Sequence, residues 1–501
     1  MMRRAVSIRI LAAAVFCVAG LDRTAPKLRA EDDPAAALVP EIQRLVEVYA
    51  TVESEAADEA QPERAFYEGA IPGMLRTLDP HSSFFDPSQF EQLKQMQRSE
   101  EKGFGTIVNV VPGRVIILQT MENSPSAKAG LEAGDEILAI NNIALAPLEP
   151  EQLIQLLAAA RQKAAALDIR HPGNARIFRI TLQPELIDSP SVDRSFEIAP
   201  GIGYVRIKSF DMRTGSLAKE VIEKLGGANL KGLVLDLRDN PGGAVQAAAE
   251  TASLFLAPKQ LIFSIRGRNQ EEQQVRVPDL AEPYRFPLAV LVDGRTASAA
   301  EILTGALQDH DRATILGEPT YGKGLVQNVF PLSNNTGVAL TVAFYYTPSG
   351  RSIQKPLASG SLDLSVTAKP GLFYTESGRE VHGGGGIEPD ELVWRSAGSR
   401  LLQVIDATGA LTTFASEYVQ SHSVDPSFEV TAEILDQLQV YLSARNIRPN
   451  IADWLRDRDA IQSKLKQEIF NLKFGVEKGD QIEMQRDPVV QRAREILSQS
   501  H

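Results

Sequence analysis

Two side chains that can do chemistry together, Ser298 and Lys323, stand 25 residues apart in this 501-residue chain. Ser298 lies in LAVLVDGRTASAAEILTGAL, where an apolar strand ends at Asp293-Gly294 and a helix opens at the serine. The first N–H groups of a helix lack partners within it and carry the positive end of its dipole. A serine placed there can attack a carbonyl while those donors hold the oxyanion. The same position also suits a plain N-cap. Lys323 lies in EPTYGKGLVQNVFPL, between Gly322 and Gly324. The apolar LVQNVFPL reads as a strand, and a lysine stem buried against it has a lowered pKa. A base working near neutral pH needs that pKa brought down by about three, equivalent to about 4 kcal/mol. Gln327 follows four residues later. Even spacing on a strand puts it on the face of Lys323, where it can accept from the amine. A solvated lysine at a turn is the plainer alternative.

A second glycine loop, in GLVLDLRDNPGGAVQ, offers backbone donors at Gly242 or Gly243. An ordinary strand-to-helix turn accounts for it equally well. The chain has six histidines: His81, His171, His310, His382, His422 and His501. His310 in QDHDR and His382 in VHGGGG are the nearest alternative bases, and both have flanks typical of solvated loops. The single cysteine, Cys17, rules out an internal disulfide and gives no basis for thiol chemistry or a cysteine metal site.

The rest of the chain must position these residues. Its net charge of −12 argues against nucleic acid as a partner. Residues 1–30 join a basic start, MMRRAVSIR, to an apolar run, ILAAAVFCVAGL. That is the pattern of an export signal, either cleaved or kept as an anchor. The expected location is periplasmic or the outer face of the cytoplasmic membrane. Residues 31–98 read as helical, with AFYEGAIPGMLRTLDPHSSFFDPSQFEQL giving helix, Asp-Pro turn, helix. Residues 99–185 turn to short strands with one amphipathic helix, PEQLIQLLAAARQKA, and a closing strand, ARIFRITL. Residues 186–395 alternate strands and helices, as a mixed α/β core does. Residues 396–501 are again helical, and AEILDQLQVYLSARN and AIQSKLKQEIFNLKF carry apolar stripes. Those stripes suit either packing within the chain or assembly, as a homodimer, a higher oligomer or a complex with an adaptor protein.

Taken together, ASAAEILTGALQDHDRATILGEPTYGKGLVQNVFPL, LVLDLRDNPGG, LTVAFYYTPSGRSI, AIPGMLRTLDPHSSFF and GGGGIEPD resemble the carboxyl-terminal processing peptidases. That family uses a serine and a lysine at this spacing, with a glutamine four residues after the lysine. The resemblance implies a multidomain α/β protein with a crotonase- or ClpP-like core and helical ends. It implies Ser298 as nucleophile, Lys323 as general base, Gln327 as its orienter, an oxyanion hole from Gly242 or Gly243 with Ala299, and no metal or organic cofactor. SPSAKAGLEAGDEILAINN resembles a PDZ domain. Such domains add a peptide as an extra strand beside a carboxylate-binding loop. Here that loop is Gly103, Phe104, Gly105, Thr106 and Ile107, and the expected partners are proteins with apolar C-terminal tails. The family's Gly-Thr pair before the last strand of this domain is replaced by RQKAAALDIRHPGNARIF, so the hairpin is expected to differ. Two rival readings are an inactive PDZ scaffold and a serine–histidine hydrolase on the same core.

Overall fold

The computed structural model describes residues 34–97, 100–268, 270–356, 371–394 and 398–499. The export signal expected at 1–30, with Cys17, lies outside the described residues. The chain forms a mixed α/β, multidomain structure around a six-stranded sheet. Its strand order is Val192–Ala199, Ile202–Ile207, Gly232–Asp236, Leu288–Val292, Thr314–Gly317, Glu391–Leu392, parallel after the first antiparallel pair. GLVLD and LAVLV are buried at every residue. That is the behaviour of parallel strands covered on both faces.

Helices Thr214–Leu225, Val245–Ser253 and Ala299–Asp309 close one face over a large apolar core. The other face, with Tyr204, Val234, Ala289 and Leu291, packs against Val489, Val490, Ala493 and Leu497. Those four residues belong to the last helix, Pro488–Gln499. Part of the 396–501 segment is therefore a layer of the core. Arg238, buried beyond the strand Gly232–Asp236, ties it in through ion pairs to Asp236 at 2.6 Å and Asp487 at 2.7 Å.

A second sheet carries the lysine loop. Leu325–Pro331 and Gly337–Tyr346 form a hairpin. On its other edge Gly337–Tyr346 pairs with Ser83–Phe85 at one end and Leu261–Gly267 at the other. The described residues 34–97 form helices joined by turns, except for this short strand, which joins the core. Its alternation is too brief to register in the sequence.

The insert folds as strands Thr106–Val111, Arg114–Thr120, Glu136–Ile140, Ala165–Arg170 and Ile177–Leu182, hydrogen-bonded in that order. Helix Pro150–Ala160 packs against them. Ala165–Arg170, given no element from the sequence, is a strand in which Ala165, Leu167 and Ile169 point inward in alternation. Entry and exit strands Glu100–Gly103 and Glu185–Asp188 pair antiparallel. The insert sits on the C-terminal helices: Asn109 Nδ2 donates to Thr412 Oγ1 at 2.7 Å and an Arg114 guanidinium N–H to Thr413 Oγ1 at 2.6 Å. The stripes Ile434, Leu435, Leu438, Leu442 and Ile461, Leu465, Ile469 share one core, so each is covered within the chain. No helix among the described residues is long and apolar enough to cross a membrane.

Candidate active site

Leu288–Val292 ends at Asp293, whose Oδ1 accepts from the N–H groups of Asp239, Arg295 and Thr296, each at 3.0 Å. Thr296 Oγ1 donates to Leu237 O at 2.8 Å, and Ala297 N–H to Asn240 O at 2.9 Å. These bonds stitch the serine loop to the 237–243 loop. Ser298 then takes φ 56°, ψ −117°. That conformation costs a non-glycine residue about 1–3 kcal/mol and persists only where its surroundings impose it. The helix begins at the next residue, Ala299. Among the described residues no bond occupies the Ala299 N–H.

Glu301 imposes the geometry. Its Oε2 accepts from Ser298 N–H at 2.9 Å and from Lys323 N–H at 2.8 Å. Its Oε1 accepts from Gly322 N–H at 2.7 Å and Thr320 Oγ1 at 2.5 Å. One carboxylate oxygen therefore holds the main chains of both the serine and the lysine. Burial pushes the Glu301 carboxyl up from its ordinary range, against the pull of the four donors. Ser298 is 1 % exposed and Lys323 7 %. Burial pulls the Lys323 ammonium down to about 8, with Glu301 and Asp79 opposing. Among the described residues no hydrogen bond joins Ser298 Oγ to Lys323 Nζ. Such contacts are often long until substrate is bound.

Gly242 sits against Ser298 at φ 98°; a Cβ there would come within 2.9 Å of Ser298 Cβ and 3.0 Å of Ala299 N. Only glycine fits. Its N–H, however, donates to Asn240 Oδ1 at 2.8 Å, which corrects its place as a free donor. Gly243 is flanked by the bonds Phe210 N–H to Gly242 O and Ala244 N–H to Phe210 O, and its own N–H has no partner among the described residues. Gly243 and Ala299 are the donors left over.

Gln327 is buried, yet strand alternation does not put it beside Lys323. The lysine precedes the strand, and a register shift separates Val326 from Gln327. Its Nε2 donates to His81 O at 2.9 Å.

In the insert, Gly103, Phe104, Gly105 and Thr106 line a pocket of about 100 Å³ with Val108 and Leu157. Gly105 takes φ 73° against Ser124. Ile107 does not line it, because side chains alternate along Thr106–Val111 and Thr106 and Val108 hold the pocket face.

Residues 201–360 match the description of Peptidase family S41, and residues 116–171 that of a PDZ domain. The chain is 35% identical over 294 residues to a carboxy-terminal-processing protease of Bartonella bacilliformis, covering 57% of this chain and 67% of that one. It is 35% identical over 313 residues to a carboxyl-terminal-processing protease of Synechocystis sp., covering 61% and 72%. The chain belongs to the carboxyl-terminal-processing protease family. It is a peptidase. A solved structure titled photosystem II D1 C-terminal processing protease shares 26% identity, covering 70% of this chain and 86% of that one, with a TM-score of 0.39.

Within this peptidase the rival histidines lie elsewhere. His310 caps the far end of helix Ala299–Asp309, about 16 Å from the serine end at 1.5 Å per residue. Its ring meets Leu261 O at 2.7 Å and Glu376 at 2.9 Å. His382 is exposed and pairs with Glu388 at 3.1 Å. The sequence reading missed Glu301, although Ser298-x-x-Glu301 is a capping-box pattern that marks it. It also missed Asp79 and His81, which reach the site from 246 residues before Gln327 in the case of His81. Nothing local in the sequence signals that approach.

Proposed function

We propose that this peptidase is an exported serine endopeptidase that cuts proteins near their C-termini through Ser298 and Lys323. The observation that carries the reading is the single Glu301 oxygen bonded to both backbones. It fixes a strained serine next to a lysine that burial drives toward the neutral form. In this reading neutral Lys323 takes the Ser298 hydroxyl proton as Oγ attacks the peptide carbonyl. The Gly243 and Ala299 N–H groups stabilise the oxyanion. The lysine returns the proton to the leaving amine, and water then releases the acyl group. Gln327 accepts from the lysine amine. The core is read as crotonase-like, with the domain boundaries placed from the sequence.

The insert groove receives the substrate's tail. Its lining is mostly apolar, with Thr106, Ser126, Lys102 and Arg161 as its polar and basic side chains, which suits an apolar tail ending in a carboxylate. The names of the relatives, carboxyl-terminal-processing proteases, support the same direction. The basic and apolar start of the chain supports export to the periplasm or the outer face of the membrane.

The test is to compare exported proteins in cells carrying the wild type and Ser298→Ala. Intact C-termini that shorten only with the wild type bear the proposal out. Identical C-termini in both contradict it.

A further inference from the structure

Lys323 lies in a loop, two residues before the strand Leu325–Pro331, so strand pairing does not hold it. Its placement depends on what bonds to the main chain around it. Glu301 is one hold, accepting from Gly322 N–H and Lys323 N–H. Gln354 is a second, and it is 1 % exposed. Its Oε1 accepts from Gly324 N–H at 2.9 Å, and its Nε2 donates to Lys355 O at 2.7 Å. Both ends of the amide are engaged, which fixes the way it faces. Lys355 N–H donates to Gly322 O at 3.0 Å. Residues 354 and 355 thus grip the residue before the lysine and the residue after it.

The grip is close and well backed. A Cβ on Gly324 would come within 2.9 Å of Gln354 N, and one on Gly322 within 2.5 Å of Lys355 Cγ. Ser352 O accepts from Gly384 N–H at 2.7 Å, and Ile353 O from Gly386 N–H at 2.9 Å. Fully buried Arg351 pairs with Asp309 at 2.8 Å, and Asp309 ends the helix that Ser298 caps. The segment that holds the lysine loop is therefore anchored to the serine's own helix. We propose that Gln354 is a positioning residue for the peptidase reaction: its side-chain amide holds the loop at Gly324 so that the Lys323 amine meets the Ser298 hydroxyl.

The chemistry requires such a hold. Proton transfer needs the amine within hydrogen-bond reach of the hydroxyl. A misplacement of about 1 Å can cost about 10²-fold in rate. Gly324 is buried, and Gln354 Oε1 is the acceptor its N–H has in the structure. Without that oxygen the N–H is left unpaired, and the loop is drawn toward whatever acceptor it can reach. An amide also holds the loop without adding an anion beside the lysine, where Glu301 and Asp79 already favour the ammonium.

This inference rests on Lys323 acting as the base. The experiment measures kcat and KM of the full chain on a peptide substrate for wild type, Gln354→Met and Gln354→Glu, with thermal melting as a check on folding. It is run at about pH 10, above the Lys323 midpoint near 8, so that kcat reads placement rather than protonation. Gln354→Met offers no acceptor to Gly324, and lowers kcat about tenfold while KM stays within about twofold. Gln354→Glu keeps an oxygen for the Gly324 N–H, and its kcat stays within about threefold of wild type. An unchanged kcat in Gln354→Met, a loss carried by KM, or an equal loss in Gln354→Glu overturns the role of Gln354 alone. Should Gln354→Met fail to fold, Gln354→Asn takes its place, because its shorter side chain draws the amide back from Gly324. The same loss of kcat is then expected, and a wild-type kcat overturns the role. Turnover by Lys323→Ala at the wild-type rate overturns the lysine base, and the inference with it.

Discussion

The serine–lysine site and the insert groove are built in opposite ways. The site is locked: buried Glu301 accepts four hydrogen bonds, and Asp293, Thr296 and Asn240 stitch its two loops together. The groove lies on a unit that meets the rest of the chain through two short paired strands and a few hydrogen bonds to the C-terminal helices. Chemistry needs groups held within a fraction of an ångström before substrate arrives. Tail capture by strand addition needs mainly a free edge and an apolar slot. The contrast predicts that changes at the site abolish turnover, while changes at the groove shift only substrate preference.

The largest effect is expected at the reacting pair. Ser298→Ala and Lys323→Ala should each lower turnover by at least about 10³-fold, with tail-peptide binding to the insert unchanged, as peptidase assays and calorimetry would read. Binding lost together with turnover would erase the contrast. Glu301→Gln comes next. An amide cannot accept from all four donors, so about 3 kcal/mol of stability and most activity should go, measured by denaturant unfolding and kcat. Normal stability in that variant would mean the carboxylate is not the clamp.

Lys323 also carries a stability cost. Its folded pKa of about 8 lies below the ordinary 10.5, so the unfolded chain holds more protons between those values and stability rises with pH across that window. Below it, the folded protein bears the full cost of a buried cation. Lys323→Met should therefore stabilise the protein at neutral pH by on the order of 3 kcal/mol, with the gain fading toward pH 10.5. A melting temperature that falls at neutral pH would contradict this. At the groove rim, Arg161→Glu should raise KM about tenfold for a substrate with a free C-terminal carboxylate and leave an amidated one alone. Equal effects on both would remove carboxylate recognition from that rim. His310→Ala should alter kcat by less than about twofold, because its ring faces away from the serine.

Much of this was legible in the sequence because it is local. Uninterrupted apolar runs mark GLVLD and LAVLV as buried strands, and the loops after them carry Gly242, Gly243 and Ser298. The family pattern reaches Lys323 and Gln327 as well. What stayed hidden comes from distant pairing. Ser83–Phe85 has only three residues, and its partner lies some 250 positions away. Gln270–Arg276, QEEQQVR, has no apolar residue but Val275, and becomes a strand only because Leu261–Gly267 offers it an edge. Ala165–Arg170 drew no strand assignment because its alanines follow the helical run without a glycine or proline between them. Strand alternation is not what relates Lys323 to Gln327, because the strand begins two residues after the lysine and a register shift falls between Val326 and Gln327.

The most direct measurement is the rate at which Ser298 becomes acylated by a peptide ester, followed by intact-mass spectrometry from about pH 6 to about pH 10. The account predicts a single acyl group on Ser298, a rate that rises with a midpoint near 8, and no acylation in Lys323→Ala. Acylation of another residue, or of Ser298 at the wild-type rate without Lys323, would contradict it.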